Sequence, residues 1–254
     1  MPARDPVAFE RLAEAARRAR PPSLSGEHVL PVAEPLEPLL PGGLRRGTSL
    51  HVAGRRDGIG STSLALAVLA GPSSSGSWAA AVGVPSLGLA AAVGFGVDLD
   101  HLVLVPDAGA PGGPTWSTAV ATLLDAVDVV VVRPPARVPG GEARRLAARA
   151  RERGSVLVRL GAAGDWPEAA DACLTVTSTE WEGLGLGHGH LRARRAVVES
   201  SGRRAFDRSR RTTLWLPGPG GVLAAAPRAT PATGVQQTDA SVGLLHTGRA
   251  LRSA

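Results

Sequence analysis

From Thr48 to about residue 160, apolar segments typical of strands alternate with segments that have apolar residues at helical spacing. This pattern predicts an α/β fold. The apolar run Val127–Val132 is almost entirely β-branched, as expected of a strand buried on both faces of a parallel sheet. Alternating strands and helices favour such a sheet with right-handed crossovers. We predict strands at 49–53, 79–83, 102–106, 127–133 and 155–160, and helices at 62–70, 86–95, 116–125 and 140–153.

The two ends of the chain have different patterns. Phe9, Leu12, Ala13 and Ala16 stand at helical spacing, which predicts an amphipathic helix that ends before Pro21. After residue 165 the helical period stops. Short apolar segments there predict strands at 172–179, 191–199 and 212–217, partly antiparallel, that extend one edge of the sheet. The predicted organisation is therefore an N-terminal helix and Pro-rich linker (1–38), a core domain (39–221) and a disordered tail (222–254).

Composition narrows the class of protein. Cys173 is the single cysteine, so neither an internal disulfide nor a cysteine-based metal site is expected. No long apolar run predicts a membrane span, and Met1–Arg20 lacks the apolar segment of a signal peptide, so we expect a cytoplasmic protein. His188 and His190 lack a third ligand nearby, and no metal is expected.

Basic charge is concentrated in one window. All 28 basic residues are arginines, and the window 192–211 alone carries a charge equal to the net charge of +6. This basic cluster predicts either a solvated face, a contact with DNA phosphates or a contact with protein. Trp181 and Trp215 are the nearest aromatic residues for base stacking. The cluster consists of Arg192, Arg194, Arg195, Arg203, Arg204, Arg208, Arg210 and Arg211.

A glycine loop follows the first predicted strand of the core. The order of strand 49–53, loop and helix is that of a phosphate-binding P-loop, which reads G-x-x-x-x-G-K-[ST]. Ser61 stands at the lysine position, and the chain contains no lysine. The spacing from Gly54 to Gly60 is also one residue too long. The candidate anion-binding positions are Gly54, Gly58, Gly60, Ser61 and Thr62.

Several segments together resemble the RecA superfamily. They are LLPGGLRRGTSLHVAG (39–54), FGVDLDHLVLVPDAG (95–109) and VDVVVV (127–132). The segments TSLALAVLA, VVVVRPP, LAARARERG, WEGLGLGHGHLRARR and LWLPGPGG extend the likeness to about residue 221 and are similar to actinobacterial ImuA-type proteins of the DNA-damage mutasome. The resemblance implies a RecA-like core that acts in SOS mutagenesis with an ImuB-type Y-family polymerase homologue and an error-prone polymerase of the replicative α-subunit type. RecA is a further candidate partner, and DNA is a candidate partner through the basic strands.

Residues that a RecA-type ATPase needs are replaced in this chain. Such an enzyme uses the loop lysine, a Mg²⁺-binding aspartate at the end of its Walker B strand and a glutamate after a neighbouring strand. Here the Walker B-like strand ends in Arg133, and the strand at 79–83 is followed by Val84-Pro85-Ser86. We therefore expect no catalytic residue, no cofactor and a binding function. The alternatives are a weak or regulatory ATP-binding protein and a cell-division inhibitor resembling SulA, which also lacks a nucleotide site.

Overall fold

The computed structural model describes residues 28–54, 58–109, 114–134, 137–161, 165–184, 188–203 and 208–227, together with Arg11 and Glu14. Most of the predicted N-terminal helix, and the tail after Pro227, lie outside the described residues. Four α-helices of six residues or more lie in the described ranges. They are α1 (Ser61–Ser74), α2 (Leu89–Gly94), α3 (Pro114–Ala126) and α4 (Gly140–Arg153).

Nine described strands form one mixed sheet in the order β11-β10-β9-β8-β3-β7-β6-β4-β5. In the part of this order that runs β8-β3-β7-β6-β4-β5, all neighbouring strands pair in parallel. The pairs β8–β9, β9–β10 and β10–β11 are antiparallel. The strands of this sheet are β3 (Ser49–Ala53), β4 (Ala79–Val82), β5 (Leu102–Val105), β6 (Val129–Val132), β7 (Val156–Leu160), β8 (Ala172–Leu184), β9 (Gly189–Gly202), β10 (Arg210–Trp215) and β11 (Ala224–Ala225). This confirms the predicted α/β class, with antiparallel strands at the C-terminal edge.

Helices cover the sheet in two apolar layers. One layer packs α1 and α2 against alternate residues of the strands, and Val131 and Val158 belong to it. The other packs α3 and α4 against the opposite residues, including Val130 and Val132. Because strand side chains alternate between faces, a run such as Val129–Val132 is fully buried only when both faces are covered.

The Pro-rich segment before the core belongs to the fold. It contains β1 (Val29–Leu30), which pairs antiparallel with β2 (Leu44–Arg45). Leu30, Leu36 and Leu39 are almost fully buried against the α1 layer. The structure therefore moves the N-terminal boundary of the core from residue 39 to at least Val29. The many prolines of this segment suggested a linker, but its leucines bury apolar surface in the core.

Two predicted strands are longer in the structure. β8 continues to Leu184, and β9 already begins at Gly189. The end of β8 and the start of β9 project as a two-stranded ribbon. Paired strands outside the core need no apolar alternation, because their backbone groups satisfy each other. At the other end of the core, β11 places residues 224–225 in the sheet, beyond the predicted boundary at 221.

Among the described residues, no helix combines the length and the apolar content that crossing a bilayer requires.

Candidate functional site: the glycine loop and the basic strands

The glycine loop lies at the carboxyl end of β3, a strand near the middle of the sheet, and leads directly into α1. Gly60 precedes the helix with a φ of 91°, a conformation that favours glycine. A Cβ on Gly60 would also lie 3.2 Å from Cγ2 of Val176 on β8. Gly60 is thus required both by its backbone conformation and by the close packing of the loop on β8.

The loop is closed on itself. A Cβ built on Gly54 would lie only 2.1 Å from the carbonyl carbon of Gly58, so the two backbones are in direct contact. The Ser61 side chain is buried, and its hydroxyl donates a 2.7 Å hydrogen bond to the Gly58 carbonyl oxygen. The residue at the lysine position therefore stabilises the loop from within.

Arg133 lies directly after β6 and reaches the first turn of α1. Its Nη2 donates to Thr62 Oγ1 at 2.8 Å and lies 3.4 Å from Ser61 Oγ. In a working P-loop, the hydroxyl at the position of Thr62 binds Mg²⁺. Here the same oxygen accepts a hydrogen bond from a guanidinium. Partial burial lowers the pKa of Arg133, and no carboxylate among the described residues forms an ion pair with it.

Close packing after β4 leaves no room for a catalytic side chain at Gly83. Its φ is 71°, and a Cβ there would lie 2.3 Å from the Arg133 carbonyl oxygen. A glutamate at this position would have to displace the end of β6. The apolar residues that follow, Val84 and Leu87, are buried in the layer around α1.

The basic cluster does not form one surface. Arg194 is 8 % exposed, donates a 2.7 Å hydrogen bond to Ser63 Oγ on α1 and contacts the Leu216 carbonyl oxygen. Burial lowers its pKa, and its guanidinium lies 5.2 Å from the Trp181 ring centroid. Arg194 therefore ties the ribbon to the glycine-loop helix, a structural role that its sequence context did not predict.

The neighbouring arginine faces the other side of the strand. Arg195 forms an ion pair with Glu182 at 2.8 Å and lies 5.2 Å from the Trp215 ring centroid. Arg211 pairs with Glu199 at 3.5 Å. Of the remaining residues of the cluster, Arg204 lies outside the described residues, Arg210 is half-buried, and three are exposed, namely Arg192, Arg203 and Arg208. Those three are the ones best placed for an external contact.

No group of three His, Cys, Asp or Glu side chains that could hold a metal ion occurs in the part of the chain that the structure describes. Cys173 lies half-buried on β8, and burial raises the pKa of its thiol, so it is poorly suited to act as a nucleophile.

Comparison with known proteins places the chain in a family. Uncharacterized protein Rv3395c of Mycobacterium tuberculosis is 42% identical over 108 residues, which cover 42% of this chain and 50% of that protein. The chain thus spans about half the length of this curated relative. The model of the MT3502 N-terminal domain matches residues 38–168, just over half of the chain. The chain belongs to the MT3502 N-terminal domain family.

Proposed function

We propose that this protein is a non-catalytic RecA-like adaptor in DNA damage tolerance. It works in the cytoplasm and assembles an error-prone translesion complex from an ImuB-type Y-family polymerase homologue and a replicative-type error-prone polymerase. The resemblance of segments 39–54, 95–109 and 127–132 to the RecA superfamily supports the fold type and the partners. The hydrogen bond from Arg133 to Thr62 carries the non-catalytic part of the proposal.

Electrostatics explains why this hydrogen bond argues against ATP hydrolysis. Two unit charges about 4 Å apart interact by about 4 kcal/mol at an effective dielectric constant of 20, and a divalent ion doubles that value. Arg133 would therefore repel Mg²⁺ at the position where a P-loop enzyme binds it. Ser61 lacks the positive charge with which the P-loop lysine binds the β- and γ-phosphates. Gly83 leaves no space for a glutamate that could orient water.

Exposed apolar side chains support a function in binding. Trp181, Leu184 and Leu191 are 40 %, 61 % and 54 % exposed on the ribbon formed by β8 and β9. Exposed aromatic and large aliphatic side chains are typical of protein interaction sites.

An ATPase assay tests the non-catalytic part. We expect no turnover of radiolabelled ATP, with or without single-stranded DNA, and no difference between the wild type and the Ser61→Ala and Thr62→Ala variants. Turnover in the wild type that either substitution abolishes would contradict the proposal.

A pull-down with the ImuB-type partner tests the adaptor part. Full-length protein is compared with chains truncated at residue 20 and at residue 221. Arg192→Glu is compared with Arg144→Glu, because both arginines are exposed but only the first lies on the ribbon. We expect the full-length protein to associate with the partner. Of the two point variants, only Arg192→Glu should associate more weakly. Lack of association by every form would rule out the adaptor.

A further inference from the structure

A cavity of about 310 Å³ lies on the sheet beside the connection from β7 to β8. One row of directly opposed residues crosses the sheet at this level. It begins with Val82 and Val132, which belong to the layer covered by α3 and α4. It continues with Arg159, His51 and Cys173, which line the cavity. The row thus changes from apolar to polar where the cavity begins.

Arg159 is the unusual member of this row. It is only 4 % exposed, and its Nε is buried without a hydrogen-bond partner. Its Nη1 donates to the Glu168 carbonyl oxygen at 2.8 Å, and its guanidinium lies 5.3 Å from the Trp166 ring centroid. Burial lowers the pKa of Arg159, and Glu168 and Asp171 lie near enough to offset this only in part. No carboxylate of the described residues forms an ion pair with it. A buried charge without such a partner is unfavourable unless another group supplies the opposite charge.

The geometry points to a binding site for a small organic monocarboxylate with an apolar body, which Arg159 holds through its guanidinium. Its carboxylate would accept hydrogen bonds from the donors of Arg159 that the protein leaves unused. Arginine is suited to this task because its planar donors match the two oxygens of a carboxylate.

The remaining lining sets the class of ligand. Leu160, Trp166 and Ala170 provide buried apolar walls, which favour an aromatic or branched body over a purely polar anion. Arg203, Asp165 and Glu168 also line the cavity, so the lining carries two positive and two negative formal charges with Arg159 and favours one negative charge on the ligand over two. The volume is at the lower end of the range for ligand pockets, which limits the ligand to a small molecule.

Two readouts on the full-length protein test the site. The first is the Nε–Hε resonance of Arg159 in ¹H–¹⁵N NMR spectra. The second is the rate at which a small thiol reagent modifies Cys173, the single cysteine of the chain and a residue of the cavity wall. Sodium benzoate is the probe, sodium acetate lacks the apolar body, and benzamide lacks the charge. We expect benzoate to shift the resonance saturably and to slow modification of Cys173 about tenfold at ten times its dissociation constant. Acetate and benzamide should bind at least about tenfold more weakly.

Three variants separate the site from the fold. Arg159→Gln removes the charge, and Ala169→Trp fills the cavity from an exposed position without touching the charge. Both should weaken benzoate binding at least about tenfold, whereas Ala90→Trp, at an exposed position on α2, should not. If Arg159→Gln does not fold, Ala169→Trp decides through the Cys173 readout. The proposal is overturned if benzoate causes no saturable change up to its solubility limit, or if benzamide binds equally well. It is also overturned if folded Arg159→Gln or folded Ala169→Trp binds benzoate with unchanged affinity.

Discussion

Three arginines with similar surroundings in the sequence have different partners in the structure. Arg133 donates to hydroxyl groups, Arg194 to a hydroxyl and a carbonyl group, and Arg159 to a carbonyl group while it packs on Trp166. Each stands in a strand or directly after one. Composition could not distinguish them, because arginine is the only basic residue type in the chain other than histidine. A single charge within the apolar strand Val156–Leu160 is the signal in the sequence that marks Arg159.

Gly60 offers a test of the loop at the scale of one residue. Gly60→Ala should lower the free energy of unfolding by about 1–3 kcal/mol, because it adds left-handed backbone strain to a clash with Val176. Gly96→Ala is the matched control, since Gly96 has a φ of 88° and open space around its Cβ position. Urea unfolding of both variants measures the difference. Equal losses in the two variants would show that packing against β8 adds nothing.

Asp128 joins three parts of the fold. Its carboxylate accepts a 2.7 Å hydrogen bond from Arg46 and a 3.0 Å hydrogen bond from the Trp78 backbone N–H. Asp128→Ala should cost about 3 kcal/mol or more, because it leaves a poorly exposed guanidinium without its carboxylate. Asp125→Ala removes two ion pairs, but the partners Arg149 and Arg153 are 42% and 55% exposed, and the loss should be smaller, about 1–2 kcal/mol. Chemical denaturation of both variants checks this order, and a larger loss for Asp125→Ala would contradict it.

Elements within the core were predictable, and those at its margins were less so. The predicted bounds of β3 and α4 are those of the structure, because each is a compact periodic segment with a polar or glycine flank. The ends of β8 and β9 were missed because that ribbon is outside the core and carries no apolar alternation. The position of the glycine loop could be predicted, but the hydrogen bond from Arg133 to Thr62 depends on the end of β6 meeting the first turn of α1 in space.

Arg194 and Arg192 test the ribbon as an element. Arg194→Ala should lower the free energy of unfolding by about 2 kcal/mol or more, because hydrogen bonds to charged groups contribute about 1.5–3 kcal/mol each. Arg192→Ala, two residues away and exposed, should change it by no more than about 0.5 kcal/mol. Thermal or urea unfolding distinguishes the two. Similar values for both would mean that Arg194 does not anchor β9 to α1.

In the part of the chain that the structure describes, β11 is the last strand at this edge of the sheet, and it supplies a prediction for truncated proteins. A chain that ends at residue 227 keeps the pairing of Leu214 with Ala225, whereas a chain that ends at 221 loses it. The Ala226 backbone N–H also donates to Thr213 at 3.0 Å. We expect the shorter chain to be less stable by about 1–3 kcal/mol, since each net backbone hydrogen bond contributes about 1 kcal/mol. Identical urea midpoints would show that β11 is dispensable, and weaker partner binding by the shorter chain alone would then need another cause.

The order of strands in the sheet also has a kinetic consequence. β3 is among the first strands to be synthesised, yet its two neighbours, β7 and β8, lie in the second half of the chain. Until both have left the ribosome, the strand that carries the glycine loop has two open edges. Long-range parallel pairing of this kind is slow and exposes the nascent chain to aggregation. Folding of this protein should therefore depend on chaperones or on slow translation more than its compact native structure suggests.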